Sequence, residues 1–274
     1  MDKITVLMSV YKNENSNYFQ AAMDSILNQT LQPDEIVLIR DGEVPKELQT
    51  IIDKYVCNKS LFTYIPLSEN KGLGNALKIG VERSRNELIA RMDTDDIAVE
   101  KRIALQLNAF QEDPELALVG GQIIEFEESP DNPNGKRLVP FHHQDILQFM
   151  KTRSPFNHMS VMFRKSSVLN AGNYKPLYYL EDYYLWCRMA LKGYKFCNLQ
   201  ETLVYARVGS EMYQRRGGYK YFKSWRQLEK FKYKHKITNI WQYITTICVR
   251  FGVQVLMSNA MRGWAFRKFG RNQL

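Results

Sequence analysis

Glu87-Leu-Ile-Ala-Arg-Met-Asp-Thr-Asp-Asp96 decides how this chain is read: a short apolar run is broken off by three carboxylates within four residues. Residues 87–92 match a strand buried on both faces of a parallel sheet, and the acids fall where that strand must end. Ile4-Thr-Val-Leu-Met-Ser-Val10 and Glu35-Ile-Val-Leu-Ile39 repeat the apolar pattern, and 61–66 adds a further strand. Between these runs, 18–28, 45–55 and 73–84 read as helices, with Phe19, Ala22, Met23 and Ile26 on one face and Leu73, Leu77 and Val81 on another. Strands alternating with helices predict βαβ units on a mainly parallel sheet, whose ligand site lies beyond the carboxyl ends of the strands. Asp41 and the cluster 93–96 both stand at such ends.

After a helix over 99–111 the pattern changes. Residues 116–126 read as a bent strand pair, and Asp131-Asn-Pro-Asn-Gly135 as a turn-rich loop. Met159-Ser-Val-Met-Phe163 reads as a strand, 183–191 as a helix, and 195–196 and 203–205 as short strands. The second half is therefore expected to be mixed α+β, without an internal repeat.

The chain has 274 residues, 45% hydrophobic and 24% charged, which excludes disordered and fibrous classes. Its net charge of +9 is unevenly placed. From Arg207 onward lie 15 of the 38 basic residues and two of the 29 acidic ones, so the first 206 residues are net acidic. Cys57, Cys187, Cys197 and Cys248 form no CxxC pair, which argues against a zinc knuckle or a disulfide framework and suits a reducing cytoplasm. The apolar run 4–10 is too short and too soon polar for a secretory signal. No Gly-Lys-Ser/Thr and no dinucleotide fingerprint after the first strand is present, which excludes P-loop and Rossmann oxidoreductase chemistry.

Asp93-Thr94-Asp95 after a buried strand offers alternate carboxylates to one divalent ion, or to an ion and a ribose; Mg²⁺ and Mn²⁺ prefer such oxygen ligands. As a bare tripeptide it equally describes a solvated turn. Asp41-Gly42 either begins a β-turn or sets a carboxylate against a nucleobase. Glu181-Asp182 opens a helix, where acids complement the dipole. The functional alternative makes Asp182 the group that removes a proton from an attacking hydroxyl, with Glu181 orienting backbone or acceptor.

Val6-Leu-Met-Ser-Val-Tyr11, Ser25-Ile-Leu-Asn-Gln-Thr30, Pro33-Asp-Glu-Ile-Val-Leu38 with Asp41-Gly42, Asn70-Lys-Gly-Leu-Gly-Asn-Ala76, Ala90-Arg-Met-Asp-Thr-Asp-Asp96 and Glu181-Asp-Tyr183 with Leu185-Trp186 occur in this order. Together they resemble family 2 glycosyltransferases of the GT-A fold, especially bacterial enzymes of capsule, exopolysaccharide and O-antigen assembly, over roughly residues 3–220. The resemblance implies a Rossmann-like, mainly parallel mixed sheet flanked by helices, with C-terminal amphipathic helices. It also implies that Tyr11 and Asp41 hold the uracil of a UDP-sugar, and that Lys71, Gly72 and Asn75 border nucleoside or diphosphate. Arg91 and Asp93 would serve ribose or sugar, Asp95 would bind Mn²⁺ or Mg²⁺, and Asp182 would be the catalytic base of an inverting transfer. Glu181, His158 and Trp186 are candidates for orienting the acceptor. Arg207, Arg215 and Arg216 are candidates for a diphosphate clamp, or for a basic loop facing lipid headgroups.

From residue 219 onward Phe222, Trp225, Leu228, Phe231 and Tyr233 mix with seven basic residues between Lys220 and Lys236. Residues 237–261 are apolar, but Asn239, Gln242, Arg250, Gln254 and Asn259 interrupt them, which favours an interfacial helix over a membrane span. The expected organisation is a catalytic body over 1–218, comprising a nucleotide-sugar half (1–98) and an acceptor and base half (99–218), followed by a membrane-associating tail over 219–274. The function expected is transfer from a UDP-sugar to a lipid-linked oligosaccharide, peripheral on the inner face of a bacterial cell membrane, without nucleic acid. A sugar-nucleotide nucleotidyltransferase would need a Gly-rich loop near the first strand, and residues 8–16 hold no glycine. A non-catalytic basic membrane- or nucleic-acid-binding module explains the tail and leaves the three acidic motifs without a role.

Overall fold

β1 (Ile4–Val10) is buried along nearly its whole length, as a strand must be when helices cover both faces of its sheet. The computed structural model describes residues 2–209, 217–258 and 261. In chain order the first half contains α1 (Ser16–Leu27), β2 (Glu35–Arg40), α2 (Lys46–Val56), β3 (Phe62–Pro66), α3 (Leu73–Arg83), β4 (Leu88–Met92), β5 (Ile97–Ala98) and α4 (Arg102–Glu112). β6 (Leu116–Phe126), β7 (Pro133–Arg137), α5 (His143–Phe149), β8 (Met162–Arg164), α6 (Lys165–Asn170), α7 (Glu181–Leu191), β9 (Lys195–Arg207), α8 (Gly218–Lys234) and α9 (Ile240–Phe251) follow. The elements expected before residue 112 form within a few residues of their expected bounds.

The sheet order is β3-β2-β1-β4-β8-β6-β9-β5, with β7 paired to β6. β1, β2, β3 and β4 run parallel, whereas β8 joins β4 and β6 antiparallel. The chain lays β1, β2 and β3 outward in one direction and then returns to place β4 on the other side of β1. This reversal opens a crevice beyond the carboxyl ends of β1 and β4, the usual ligand position in such sheets. Val6, Met8, Ile36 and Leu38 face a cluster with Phe19, Met23 and Ile103. Leu7, Val37, Ile39 and Ile89 face the opposite cluster, with Leu77 and Trp186.

The second half departs from the expected elements at several places. The strand expected over 159–163 is a 3₁₀ turn at His158–Ser160 followed by β8, because Ser160 donates its N–H and its hydroxyl back to the Asn157 carbonyl, and α5 and α6 are additional helices. Residues 116–126 form one strand instead of a bent pair; the bend is absorbed by register shifts against β9 between Leu116 and Leu118 and around Gln122. Residues 195–207 are likewise continuous, because backbone pairing with β6 carries the strand through the polar stretch around Asn198. The turn-rich segment at 131–135 supplies the edge strand β7, where Pro133 at the first position costs no ladder bond.

The boundary expected at 218 falls at the start of α8, whose inner side shares the core of α7 through Tyr221, Trp225 and Leu228. Lys232 is fully buried on that side and its ammonium donates to the Lys151 carbonyl (2.8 Å), the Tyr183 hydroxyl (3.1 Å) and the Glu229 carboxylate (2.7 Å). Among the described residues no helix is long and apolar enough to cross a membrane.

Removing one member of a buried ion pair strands the other, at a cost of about 3–5 kcal/mol, whereas replacing both with apolar groups is often close to neutral. Lys232→Met is therefore expected to lower the unfolding free energy by about 3–5 kcal/mol in urea titration, and adding Glu229→Leu to restore most of it. Equal losses in the single and double variants would show that the three bonds to Lys232, and not the stranded carboxylate, set the cost.

Candidate active site

β4 is buried on both faces, so Arg91 within it is enclosed by the protein and is 1% exposed. It reaches forward to Asp93 in a two-pronged contact, Nη1 to Oδ2 at 2.7 Å and Nη2 to Oδ1. Arg102 of α4 lies beneath and donates to the Arg91 carbonyl (2.6 Å). Burial, with the Arg91 charge adding to it, pushes Arg102 down to about 9. Two buried guanidinium groups thus underlie the end of β4.

Asp93, Asp95 and Asp96 bring one carboxylate oxygen each within 4.8 Å of one another. Burial, followed by the charges of Asp93 and Glu14, raises Asp95 to about 7. Asp96 is raised well above its ordinary value by burial and then by Asp95 and Asp93. One Asp96 oxygen accepts the Arg207 backbone N–H (2.7 Å), while the other has no hydrogen-bond partner. Glu14, from the loop after β1, accepts the Thr94 hydroxyl, and burial raises its carboxyl too. An excess of hard oxygen donors with an orphaned buried oxygen fits a divalent cation such as Mg²⁺ or Mn²⁺.

The sequence reading puts the metal on Asp95, and the structure sets two further acids beside it that this reading does not include, Asp96 and Glu14. Asp96 was visible as the third acid of its cluster. Glu14 carried no signal, since it meets Thr94 only because β1 and β4 are neighbours in the sheet.

Asp41 ends β2 and is buried, and its two carboxylate oxygens accept the backbone N–H groups of Lys71 (2.7 Å) and Gly72 (2.9 Å). The Asn70 amide donates to the Asp41 carbonyl (3.1 Å). Gly42 stands at φ +86°, and a Cβ there would lie 2.7 Å from the Asn70 nitrogen, so the turn requires glycine. Asn75 donates to the Lys71 carbonyl (2.8 Å), and Lys71 itself is exposed. The structure therefore brings Asp41, Lys71, Gly72 and Asn75 together at the head of α3. Tyr11 follows β1, half-buried, and its carbonyl accepts the Glu14 N–H (3.1 Å).

α7 delivers Glu181 and Asp182 in its first turn. A Cβ on Gly74 would meet Glu181 Cβ at 3.3 Å, so a small residue lets α3 and α7 close on each other. Burial and then the Asp182 charge raise Glu181 to about 7, and Arg91 and Asp93 also act on it. The two acidic centres, about 90 positions apart in the chain, thus share one electrostatic field. His158 bonds the Tyr174 hydroxyl through Nε2 (2.9 Å). Desolvation and the Arg91 charge hold its imidazole well below the ordinary value, so it is neutral at pH 7.

Two expected roles change. Trp186 is fully buried, with its ring edge-on to Phe156 (5.6 Å) and His158 (6.0 Å), so it cannot touch an acceptor and instead supports His158 from within the core. The Arg207 guanidinium lies over Tyr18 (3.7 Å) and Phe126 (4.5 Å) and donates to the carbonyls of Glu127 (3.0 Å), Glu128 (3.2 Å) and Asp95 (3.3 Å). As placed, Arg207 holds the acidic turn in position. Arg215 and Arg216 lie outside the described residues.

The sequence profile of glycosyl transferase family 2 matches residues 5–170. The chain is 40% identical over 237 residues to the amylovoran biosynthesis glycosyltransferase AmsE of Erwinia amylovora, covering 85% of this chain and 87% of that one. It is 33% identical over 274 residues to the UDP-Gal:alpha-D-GlcNAc-diphosphoundecaprenol beta-1,3-galactosyltransferase of Escherichia coli, covering 99% and 98%. In fold it is similar to the mannosyltransferase PcManGT of Pyrobaculum calidifontis, solved with GDP-Man and Mn²⁺, at TM-score 0.64 and 13% identity, covering 98% and 81%. The sheet and its flanking helices have the GT-A architecture.

An aspartate raised to about 7 in the folded state has a sign to its pH effect. Between its unfolded pKa of roughly 4 and about 7 the native state holds the extra proton, so metal-free stability is expected to fall as pH rises through that window. A cation on the cluster selects the deprotonated form. The melting-temperature gain from MnCl₂ over EDTA should therefore be larger at pH 8 than at pH 6, and Asp95→Asn should remove most of it. A gain independent of pH would place metal binding elsewhere.

Proposed function

The chain belongs to glycosyl transferase family 2, and from that premise we propose that it transfers a sugar from a UDP-sugar to a hydroxyl of a lipid-linked glycan in surface polysaccharide synthesis, with inversion at the anomeric carbon. The observation that carries this reading is the convergence on one crevice of the acid cluster after β4, the Asp41–Gly72 loop and the first turn of α7. Asp41 and Tyr11 border the base, Lys71 and Asn75 the diphosphate, and Arg91 acts by holding Asp93 toward ribose or sugar. Asp95, with Asp93 and Asp96, would hold a Mn²⁺ or Mg²⁺ ion, whose charge offsets that developing on the departing diphosphate.

Asp182 takes the proton of the acceptor hydroxyl as its oxygen attacks the anomeric carbon and the bond to UDP breaks. A single displacement of this kind inverts the centre. Glu181, raised to about 7 beside Asp182, keeps the pair from carrying two full charges near neutral pH. His158, neutral and bonded to Tyr174, suits a role as an uncharged contact for the acceptor. The E. coli relative, whose name specifies a UDP-sugar donor and a diphosphoundecaprenol acceptor, supports the donor and acceptor classes. The Mn²⁺ in the Pyrobaculum structure supports the metal. Work at the inner face of the cell membrane follows from such an acceptor.

Asp182→Asn is expected to lower transfer by about 10²–10⁴-fold, the range for a lost general base, while UDP affinity stays nearly unchanged in calorimetry. A parallel loss of affinity would assign Asp182 to the donor site or to folding. Acceptor-free hydrolysis of a panel of UDP-sugars, with and without Mn²⁺, tests the donor reading. Absence of hydrolysis together with absence of a metal-dependent thermal shift by UDP would remove it.

A further inference from the structure

α9 buries none of its residues. One side of it meets α8: Tyr243 stands 5.5 Å from Tyr233, Phe251 5.3 Å from Phe222, and the Arg250 guanidinium 3.6 Å over the Trp225 ring. The other side presents Trp241, Ile244, Thr245, Cys248 and Val249 at helical spacing, without a charged residue. Trp241 is 73% exposed, Val249 62%, and Leu256 in the turn beyond is 72%. At about 1.5 Å per residue, twelve residues reach about 18 Å, well short of the roughly 30 Å hydrocarbon core.

α8 supplies what this apolar side lacks. Lys223, Arg226, Lys230 and Lys234 are exposed and spaced three or four residues apart, which lines them along one helix face. The one acidic residue of α8, Glu229, is buried against Lys232 and leaves the stripe without a counter-charge on its own helix. Packed helices lie about 8–10 Å apart, comparable to the Debye length of roughly 8 Å at physiological salt, so the stripe acts on whatever surface α9 touches. A second copy would bring the same cations against these and be repelled. Nucleic acid would answer the stripe and leave the Trp241 side wet.

We propose that α8 and α9 form a rigid foot that seats on an anionic phospholipid leaflet. α9 lies in the interface with Trp241, Ile244 and Val249 inserted, and the α8 stripe rests on the headgroups. Lys232 and Trp225 lock α8 to Tyr183, the residue after Asp182, so seating the foot also sets the height of the α7 first turn above the bilayer. This last step rests on the reading of Asp182 as the base toward a lipid-linked acceptor; the lipid contact itself does not.

The test is co-sedimentation of the full chain with vesicles of three parts phosphatidylcholine to one part phosphatidylglycerol, against pure phosphatidylcholine. Binding is expected on the mixed vesicles and should weaken with salt. The quadruple variant Lys223→Gln, Arg226→Gln, Lys230→Gln and Lys234→Gln should weaken it by at least about a hundredfold, since each cation contributes roughly fivefold. Trp241→Ser with Val249→Ser should weaken it by about tenfold or more, with the remainder still salt-sensitive. Transfer to an acceptor embedded in the vesicles should fall in step, while acceptor-free UDP-sugar hydrolysis is unchanged in both variants.

Equal binding to both vesicle types, or to neither, overturns the proposal. So does dimerisation that Trp241→Ser abolishes without any vesicle binding, or RNA binding indifferent to Trp241. If hydrolysis is absent in the unmodified protein while vesicle binding holds, the donor reading fails and the foot stands.

Discussion

A guanidinium without access to water, Arg91, is the constraint on which the rest of the site depends. Burying a charge is costly unless it is paired and hydrogen-bonded, and Arg91 meets that demand through its two-pronged contact with Asp93. The pairing holds Asp93 at the head of β4 and leaves Asp95, Asp96 and Glu14 crowded beside it with less compensation. Burial first, and then the charge of neighbouring carboxylates, raises all three carboxyls. The same crowding is what a divalent cation on the proposed site would offset.

Strand order turns this local chemistry into a crevice. With β4 returned to the far side of β1, the loops after β1 and β4 face one another, and Thr94 bonds both the Ser9 carbonyl (3.3 Å) and Glu14. Asp41 is spent largely on structure, holding the Lys71–Gly72 backbone so that the head of α3 is in place. That head carries Gly74, and the space left by its missing side chain receives Glu181. α3 and α7 are therefore joined by a close contact, and α7 is secured from behind by Lys232 of α8.

The profile match ends at residue 170, ahead of α7, while the relatives align over most of the chain. The matched segment holds β1 to β4 and the acid cluster after β4. α7, α8 and α9 follow the matched segment in the chain. A basic segment that composition marks as a tail proves to have two unlike parts, α8 built into the core and α9 lying on it.

The first four strands and their helices were legible because each buries a continuous apolar run or a single helical face, a local pattern that tertiary contacts only reinforce. The same holds for the acids at the ends of β2 and β4 and at the start of α7. β7 and the continuous β9 were not legible, since they exist through pairing with β6 and their side chains carry no apolar alternation. Nor was the displacement of Trp186 into the core or the capture of Arg207 by Tyr18 and Phe126, which no spacing announces. By itself the sequence determined which residues carry charge, which stretches are buried and therefore which family the chain resembles. The tertiary structure alone decided which carboxylates meet, because Glu14 and Thr94, eighty positions apart, become neighbours through the order of strands and not through any local preference of their own.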